Sequence, residues 1–310
     1  MRPVIAITGP TAVGKSAVAD QLAVAWGTEV ISADAMQVYR GMDIGTAKTP
    51  VEERRVPLRL VDVVDPCEAY SAALFQQDAR AEIDRLIAEG RTPILCGGTG
   101  LYIRAALDDM TFPKGEVTSD TRERYNRLAE ELGADGLHAM LAERDPASAA
   151  IIHPHNVKRV VRALEMSDEG VSYAEQSAGF STPRMVYPHL SFALTMDRAT
   201  LYRRIDARVD LMMELGLLNE VKALVKQGAE DALTSRQAIG YKELISYING
   251  ELTLDEAVNL VKQRSRRNAK RQLIWCRRDS RMKWLQMDEL GIDGAVRAIQ
   301  EAVGENHAAL

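Results

Sequence analysis

The sequence predicts an α/β protein: a P-loop-containing parallel sheet core, interrupted by a helical insertion domain and followed by a helical C-terminal region. Three observations carry this prediction. Gly9-Pro10-Thr11-Ala12-Val13-Gly14-Lys15-Ser16 fits the spacing G-x-x-x-x-G-K-[ST] of a phosphate-binding loop. Over the first hundred residues, short apolar runs alternate with helical periodicity, the rhythm of βαβ units. From Pro113 to residue 188 the strand signals thin out and helical patterns take over.

The elements follow in order. Val4-Ile5-Ala6-Ile7 reads as a buried parallel strand, and residues 17–23 as the helix after the loop. Strand, glycine loop and helix start together suit a phosphate: backbone N–H groups turn inward, and the helix N-terminus adds partial positive charge. Lys15 can neutralise phosphate oxygens, and Ser16 can ligate a magnesium ion. Strands are expected at residues 29–34, 59–64 and 92–96, with a helix over 72–89 ending at Gly90. Gly97-Gly98-Thr99-Gly100 then opens a helix from Leu101. Residues 121–132, 135–143 and 156–168 have helical patterns, and 179–188 is loop-like. A strand returns at 190–195, a long helix covers 198–215, and the remainder reads mostly as helix. The division is an α/β core over 1–112 and 189–310, with a helical insertion over 113–188.

Composition narrows the function. With 46% apolar and only 5% aromatic residues, the core of this 310-residue chain is chiefly aliphatic. No apolar run reaches eighteen residues, so no membrane-spanning helix is expected. The N-terminus enters a strand within three residues, which leaves no room for a signal peptide. Cys67, Cys96 and Cys276 fit neither a zinc spacing nor a disulfide framework, and a cytoplasmic location is expected. Net charge is −5, but residues 262–283 hold ten Lys or Arg and one acid, a local +9 that leaves about −14 elsewhere. A dense basic segment in an acidic chain points to a polyanionic partner; a solvated helix face is the alternative.

In open α/β sheets, ligands sit at the carboxyl ends of the strands. Asp34, at the end of the second strand, should therefore face the loop as a magnesium partner, a general base or a helix N-cap. Thr99 can cap its helix or meet a ligand. Gly45-Thr46-Ala47-Lys48 is a further glycine turn carrying a cation.

The loop at 9–16 is the first of seven ordered segments that together resemble the tRNA dimethylallyltransferases. The others are Ser32-Ala33-Asp34-Ala35-Met36-Gln37-Val38-Tyr39, Gly45-Thr46-Ala47-Lys48, Gly97-Gly98-Thr99-Gly100-Leu101-Tyr102, Arg162-Ala163-Leu164-Glu165, Gln237-Ala238-Ile239-Gly240-Tyr241-Lys242-Glu243 and Ala269-Lys270-Arg271-Gln272-Leu273-Ile274-Trp275. The likeness runs over residues 4–284. One departure is Leu58-Arg59, where the family usually carries a His-His pair, so no imidazole contact is carried over there.

The resemblance implies transfer of a dimethylallyl group from dimethylallyl diphosphate to N6 of the adenine 3′ of the tRNA anticodon, with diphosphate released. It implies that Gly9, Thr11, Ala12, Val13, Gly14, Lys15 and Ser16 hold the donor diphosphate, with Mg²⁺ at Ser16. Lys15 would stabilise the leaving group, with Arg208 or Arg204 as a second cation; those two arginines could equally form surface ion pairs. Asp34 would be the general base, and Thr99 would position the amino group or the bridging oxygen. The target base must be turned out of its stack to react. Asp34, Ala35, Met36, Gln37, Thr99, Gln237, Gly240, Tyr241 and Lys242 would bind the tRNA, Gln37 by pairing with a base edge. In the insertion, Arg124, Lys158, Arg159, Val160, Val161 and Arg162 would meet the anticodon stem-loop of the tRNA partner. Lys270 and Arg271 would contact phosphates, and Trp275 would more readily pack in the core than stack on RNA. A monomer is expected.

Three other readings compete. A P-loop small-molecule kinase leaves the basic segment without a task. An adenylate dimethylallyltransferase needs neither the insertion nor that segment. A nucleotide-switch RNA-binding protein gives Asp34 and Thr99 no chemistry.

Overall fold

The structure is a computed structural model that describes residues 3–112, 120–179, 184–228 and 235–308. It divides into two compact units, residues 1–107 with 187–310, and residues 108–186.

The first unit is built on a six-stranded sheet in which every neighbouring pair is parallel. Its strands are β1 (Val4–Thr8), β2 (Val30–Ser32), β3 (Leu58–Arg59), β4 (Ile94–Cys96), β5 (His189–Thr195) and β6 (Met282–Gln286), in the order β3-β2-β4-β1-β5-β6. β1 is buried along its whole length, as a central strand covered on both faces must be. Val4, Ala6, Ile31 and Leu95 face one layer, built by α2 (Ala72–Ala88), α3 (Gly100–Leu107), α9 (Leu217–Lys226) and α10 (Tyr241–Ile248). Ile5, Ile7, Val30 and Ile94 face the other, built chiefly by α1 (Lys15–Trp26), α8 (Arg198–Glu214) and α12 (Met287–Ala308). α11 (Leu254–Arg277) begins in a capping box between Thr253 and Glu256 and reaches the carboxyl end of the sheet. β1 leads away to β2 and β4 leads back to β5, so the winding reverses between β1 and β4. That reversal leaves a crevice at their carboxyl ends.

Two expectations need correction here. Only Leu58 and Arg59 pair as a third strand, because Leu60 and Asp62 adopt φ of 58° and 56° and turn the chain out of the sheet. β6 falls where the sequence pattern suggests a helical tail, yet it pairs with β5 from Ser191↔Met282 to Thr195↔Gln286. The two helices expected at 121–132 and 135–143 are present within α4 (Asp120–Arg144), which breaks between them at Gly133, whose φ is 69°.

The second unit holds α4, α5 (Pro146–Ile151), α6 (Val157–Asp168) and α7 (Tyr173–Gly179). Its core is Tyr125, Leu137, Leu141, Val160, Ala163 and Leu164, all at most 1% exposed. Its two chain ends meet each other: Asp108 bridges Met185, and Asp109 N–H donates to Arg184 O at 2.7 Å. Pro113, where the sequence pattern changes, and residues 180–183 of the expected loop lie outside the described residues. No helix among the described residues is long and apolar enough to cross a membrane.

Candidate active site

The crevice at the β1/β4 reversal is lined by the segments that the sequence singles out. The loop at 9–14 leaves β1 at Gly9, where φ is 138° and a Cβ would stand 2.5 Å from Leu194 O, so only glycine fits. Gly14 starts α1 without a side-chain cap. Ala12 sits in the left-handed region at φ 64°. Lys15 Nζ donates to Pro10 O at 2.7 Å. Burial lowers the Lys15 pKa, and the Arg208 charge pushes the same way while Asp34 opposes it. Ala12, Gly14, Lys15, Ser16, Ala47, Thr49, Arg204 and Arg208 surround a basin of about 320 Å³. Lys15 at an uncapped helix N-terminus, with Arg204 and Arg208 facing it from α8, makes it fit for a polyanion. Gly9, Thr11 and Val13 lie outside its lining: Gly9 makes the turn, Thr11 lines the neighbouring cavity, and the Val13 side chain is in the core.

Beside it lies a cavity of about 460 Å³ that also touches Arg208. Asp34, Ala35, Met36 and Thr99 form part of its wall. Asp34 Oδ1 accepts from Met36 N–H at 2.9 Å, a turn rather than the helix cap that the sequence left open. Oδ2 of Asp34 makes no hydrogen bond among the described residues. Thr99 Oγ1 accepts from Ala35 N–H at 3.0 Å, and Thr99 N–H donates to Ala33 O at 3.2 Å. The threonine thus ties β4 to the Asp34 turn instead of capping α3, and its hydroxyl hydrogen remains free to donate. Ile205, Val209 and Met212 of α8 supply an apolar wall, and Gln237 and Gly240 close another side. A carboxylate and a hydroxyl beside an anion basin can receive a proton and steady a leaving oxygen.

Other expected residues fall elsewhere. Gln37 is used within the protein: Oε1 accepts from Ser32 Oγ at 2.9 Å, and Nε2 donates to Thr46 O at 3.2 Å. It lines a separate pocket of about 250 Å³, so it does not present its amide to a base in the main cavity. Tyr241 is buried and its hydroxyl donates to Glu220 Oε1 at 2.6 Å, which removes it from the surface. Val160 and Val161 are in the core of the second unit, while Lys158 and Arg159 are exposed. Arg162 pairs with Glu165 at 3.3 Å, and Arg124 with Asp168 at 2.6 Å. Lys242 is exposed, with Nζ 3.5 Å from Gln237 Oε1. Lys270 and Arg271 are exposed on α11, and Arg271 also lines the main cavity. Trp275, expected in the core, is exposed over about a third of its surface and lies against Gly100 on the cavity wall. Arg59 of the Leu58-Arg59 departure pairs with the buried Glu29 at 2.6 Å, alongside Arg85 and Arg91.

Sequence reading missed Gln272. Its Oε1 accepts from Thr11 N–H at 2.9 Å, and its Nε2 donates to Gly98 O at 3.1 Å. One side chain of α11 thereby fastens the phosphate loop to the turn that carries Thr99. Its place one turn before Trp275 was the available signal.

The chain matches a family model described as IPP transferase over residues 37–279, and one described as isopentenyl transferase over residues 2–61. It is 48% identical over 304 residues to a tRNA dimethylallyltransferase of Symbiobacterium thermophilum, covering 97% of this chain and 94% of that one. It is 47% identical to one of Bacillus subtilis, covering 92% and 91%. Among solved structures, the tRNA isopentenylpyrophosphate transferase of Bacillus halodurans superposes with a TM-score of 0.73 at 41% identity, over 100% of this chain and 99% of that one. A eukaryotic dimethylallyltransferase acting on tRNA gives 0.79 at 28% identity, over 96% and 78%.

Proposed function

The chain belongs to the IPP transferase family, and from that premise we propose that it transfers the dimethylallyl group of dimethylallyl diphosphate to N6 of the adenine 3′ of the anticodon in tRNA. The observation that carries this reading is the shared Arg208. It joins a three-cation basin sized for a diphosphate to a cavity walled by Asp34 and Thr99.

The chemistry follows from that arrangement. The bond between the allylic carbon and its diphosphate oxygen breaks, and the electron pair leaves on that oxygen. A bond forms between the same carbon and N6 of adenine. N6 is a weak nucleophile because its lone pair is delocalised into the ring, so it must lose a proton. Oδ2 of Asp34 takes it. Lys15, held in a site that disfavours its charge, gains an anionic partner as charge develops on the leaving group, together with Arg208 and Arg204. Thr99 donates its hydroxyl hydrogen to the bridging oxygen or steadies the amino group.

Magnesium fits the residues present. Ser16 exposes a hydroxyl on the basin, and among the described residues no group of three His, Cys, Asp or Glu forms a cage. Phosphate oxygens and water would complete the shell, a common arrangement for Mg²⁺. When bound, the ion would neutralise diphosphate charge. Lys158 and Arg159 on the second unit, and Lys270 and Arg271 on the first, are the exposed cations we assign to RNA phosphates, the protein acting as a monomer.

The test is incubation of the protein with labelled dimethylallyl diphosphate, Mg²⁺ and one of three acceptors: tRNA, AMP or ATP. Label is expected in tRNA alone. Label in AMP or ATP instead would overturn the RNA assignment. Lys15→Ala should slow turnover by about 10²-fold or more, the value of one well-placed donor to a developing anion.

A further inference from the structure

We infer that Glu220 is a positioning residue for this reaction, an inference that rests on the transfer reading above. Its carboxylate sets the loop at residues 43–49 that walls both the diphosphate basin and the acceptor cavity. Glu220 lies on α9 and lines neither space. Its Oε2 accepts from Asp43 N–H at 3.0 Å and Ile44 N–H at 2.8 Å. Its Oε1 accepts from Gly45 N–H at 3.1 Å and from the Tyr241 hydroxyl at 2.6 Å.

Three consecutive backbone N–H groups converging on one carboxylate form an anion nest, here filled by the protein's own side chain. Bonds to an ionised acceptor are roughly twice as strong as neutral ones. The loop is gripped from within as well. The buried Lys48 Nζ donates to Tyr39 O at 2.5 Å, Asp43 Oδ1 at 2.8 Å and Asp62 Oδ1 at 2.6 Å. The Tyr241 ring lies so close beneath the loop that a Cβ at Gly45 would stand 2.5 Å from it.

What this grip holds is the reason to assign it to the reaction. Gly45 and Thr46 wall the acceptor cavity, and Ala47 and Thr49 wall the basin. Through Tyr241, the same carboxylate fixes the start of α10, and Gln237 and Gly240 just before it close the cavity's other side. One anion therefore sets two walls of the acceptor space relative to the donor.

Glu220→Gln is the discriminating variant. Each carboxylate oxygen serves two donors, so either orientation of the amide turns its NH₂ against two of them. With the full chain, kcat should fall by about 10²-fold, the cost of an ångström-scale misplacement. The thermal shift caused by dimethylallyl diphosphate, which rests chiefly on the loop at 9–16 and only partly on the Ala47 and Thr49 wall, should fall far less than kcat. Glu220→Asp, which restores the charge, should recover part of kcat. Amide exchange at residues 43–45 should be slow in the parent and fast in Glu220→Gln. Parent-level kcat in Glu220→Gln overturns the inference. So does loss of kcat, donor shift and melting temperature together, which marks a merely structural group. If the parent itself fails to transfer, the function reading falls, and the exchange comparison still decides whether Glu220 sets the loop: equal exchange in parent and variant sinks it.

Discussion

In the proposed reaction Asp34 divides its carboxylate between two tasks. Oδ1 accepts from Met36 N–H and closes its own turn, and Oδ2 is left toward a cavity that Thr99 also lines. Asp34→Asn separates the tasks, because an amide oxygen can still accept from Met36 but the side chain can no longer take a proton. Single-turnover transfer by this variant should be slower by roughly 10²–10⁴, while tRNA and donor titrations match the parent. A rate within about threefold of the parent would reduce Asp34 to a turn former. Asp34 and Lys15 were legible in the sequence because strand ends and the glycine loop have fixed places in a parallel sheet. Glu220 was not, since a lone Glu on a helix looks like any solvated side chain until its distant partners are known; Gln272 stands in a family-like segment, but its role rests on Thr11 and Gly98, far off in sequence. Tyr241 shows the converse. It stands in a segment shared with the family, but its contribution is a buried hydroxyl on Glu220 rather than an RNA contact.

At the scale of elements, α11 redistributes the charge that the sequence concentrates. Lys262 pairs with Asp210 of α8 at 2.6 Å, Arg266 with Asp206 of α8 at 2.5 Å, and Arg264 with Glu243 of α10. These pairs fasten α11 to two neighbours and neutralise part of the local +9. Lys270 and Arg271 stay exposed one turn further on. Replacing both by Ala should lower the slope of log affinity for tRNA against log salt by about 0.7–0.9 for each phosphate no longer neutralised. The donor-induced thermal shift should not change, and an unaltered slope would leave these cations as surface solubilisers. β6 escaped sequence reading for a related reason: at the sheet edge only Leu285 is buried, so Met282-Lys283-Trp284-Leu285-Gln286 has no clean alternation. At the opposite edge, Glu29 joins β2, β3 and α2. Burial opposes its ionisation, but hydrogen bonds from Arg59, Arg85 and Arg91 outweigh that and bring its pKa down to about 2. A depressed carboxylate pKa contributes stability above the unfolded value of 4.5, lost as pH falls toward about 2. Glu29→Gln should therefore be less stable than the parent near neutrality, by roughly 1–2 kcal/mol after screening at the part-exposed arginines. In urea titrations that gap should close as pH falls through this window, and a gap constant with pH would remove the ionic account.

The whole molecule is two cores of different construction. Residues 1–107 with 187–310 are held by a parallel sheet between helix layers, and the described residues of 108–186 pack a core of helices. Near Pro113 the sequence changes period, because helices and strands leave different spacings of apolar residues. Each core should open as its own cooperative unit, since exchange reports stability region by region. Leu141 tests this: it is fully buried among residues of the second unit only, including Tyr125, Val160 and Leu164. Leu141→Ala removes its packing and leaves a cavity, a change that costs about 2–5 kcal/mol in comparable cores. Amides of α4 and α6 should then exchange faster, while those of β1 and β4 keep parent rates. Dimethylallyl diphosphate should still raise the melting temperature of the first unit, because Lys15 and Arg208 belong to it. Transfer to tRNA should weaken through the RNA affinity, since Lys158 and Arg159 ride on α6. Equal acceleration of amides in both units would show that the chain opens as a single body, and the donor site would then depend on a core with which it shares no residue.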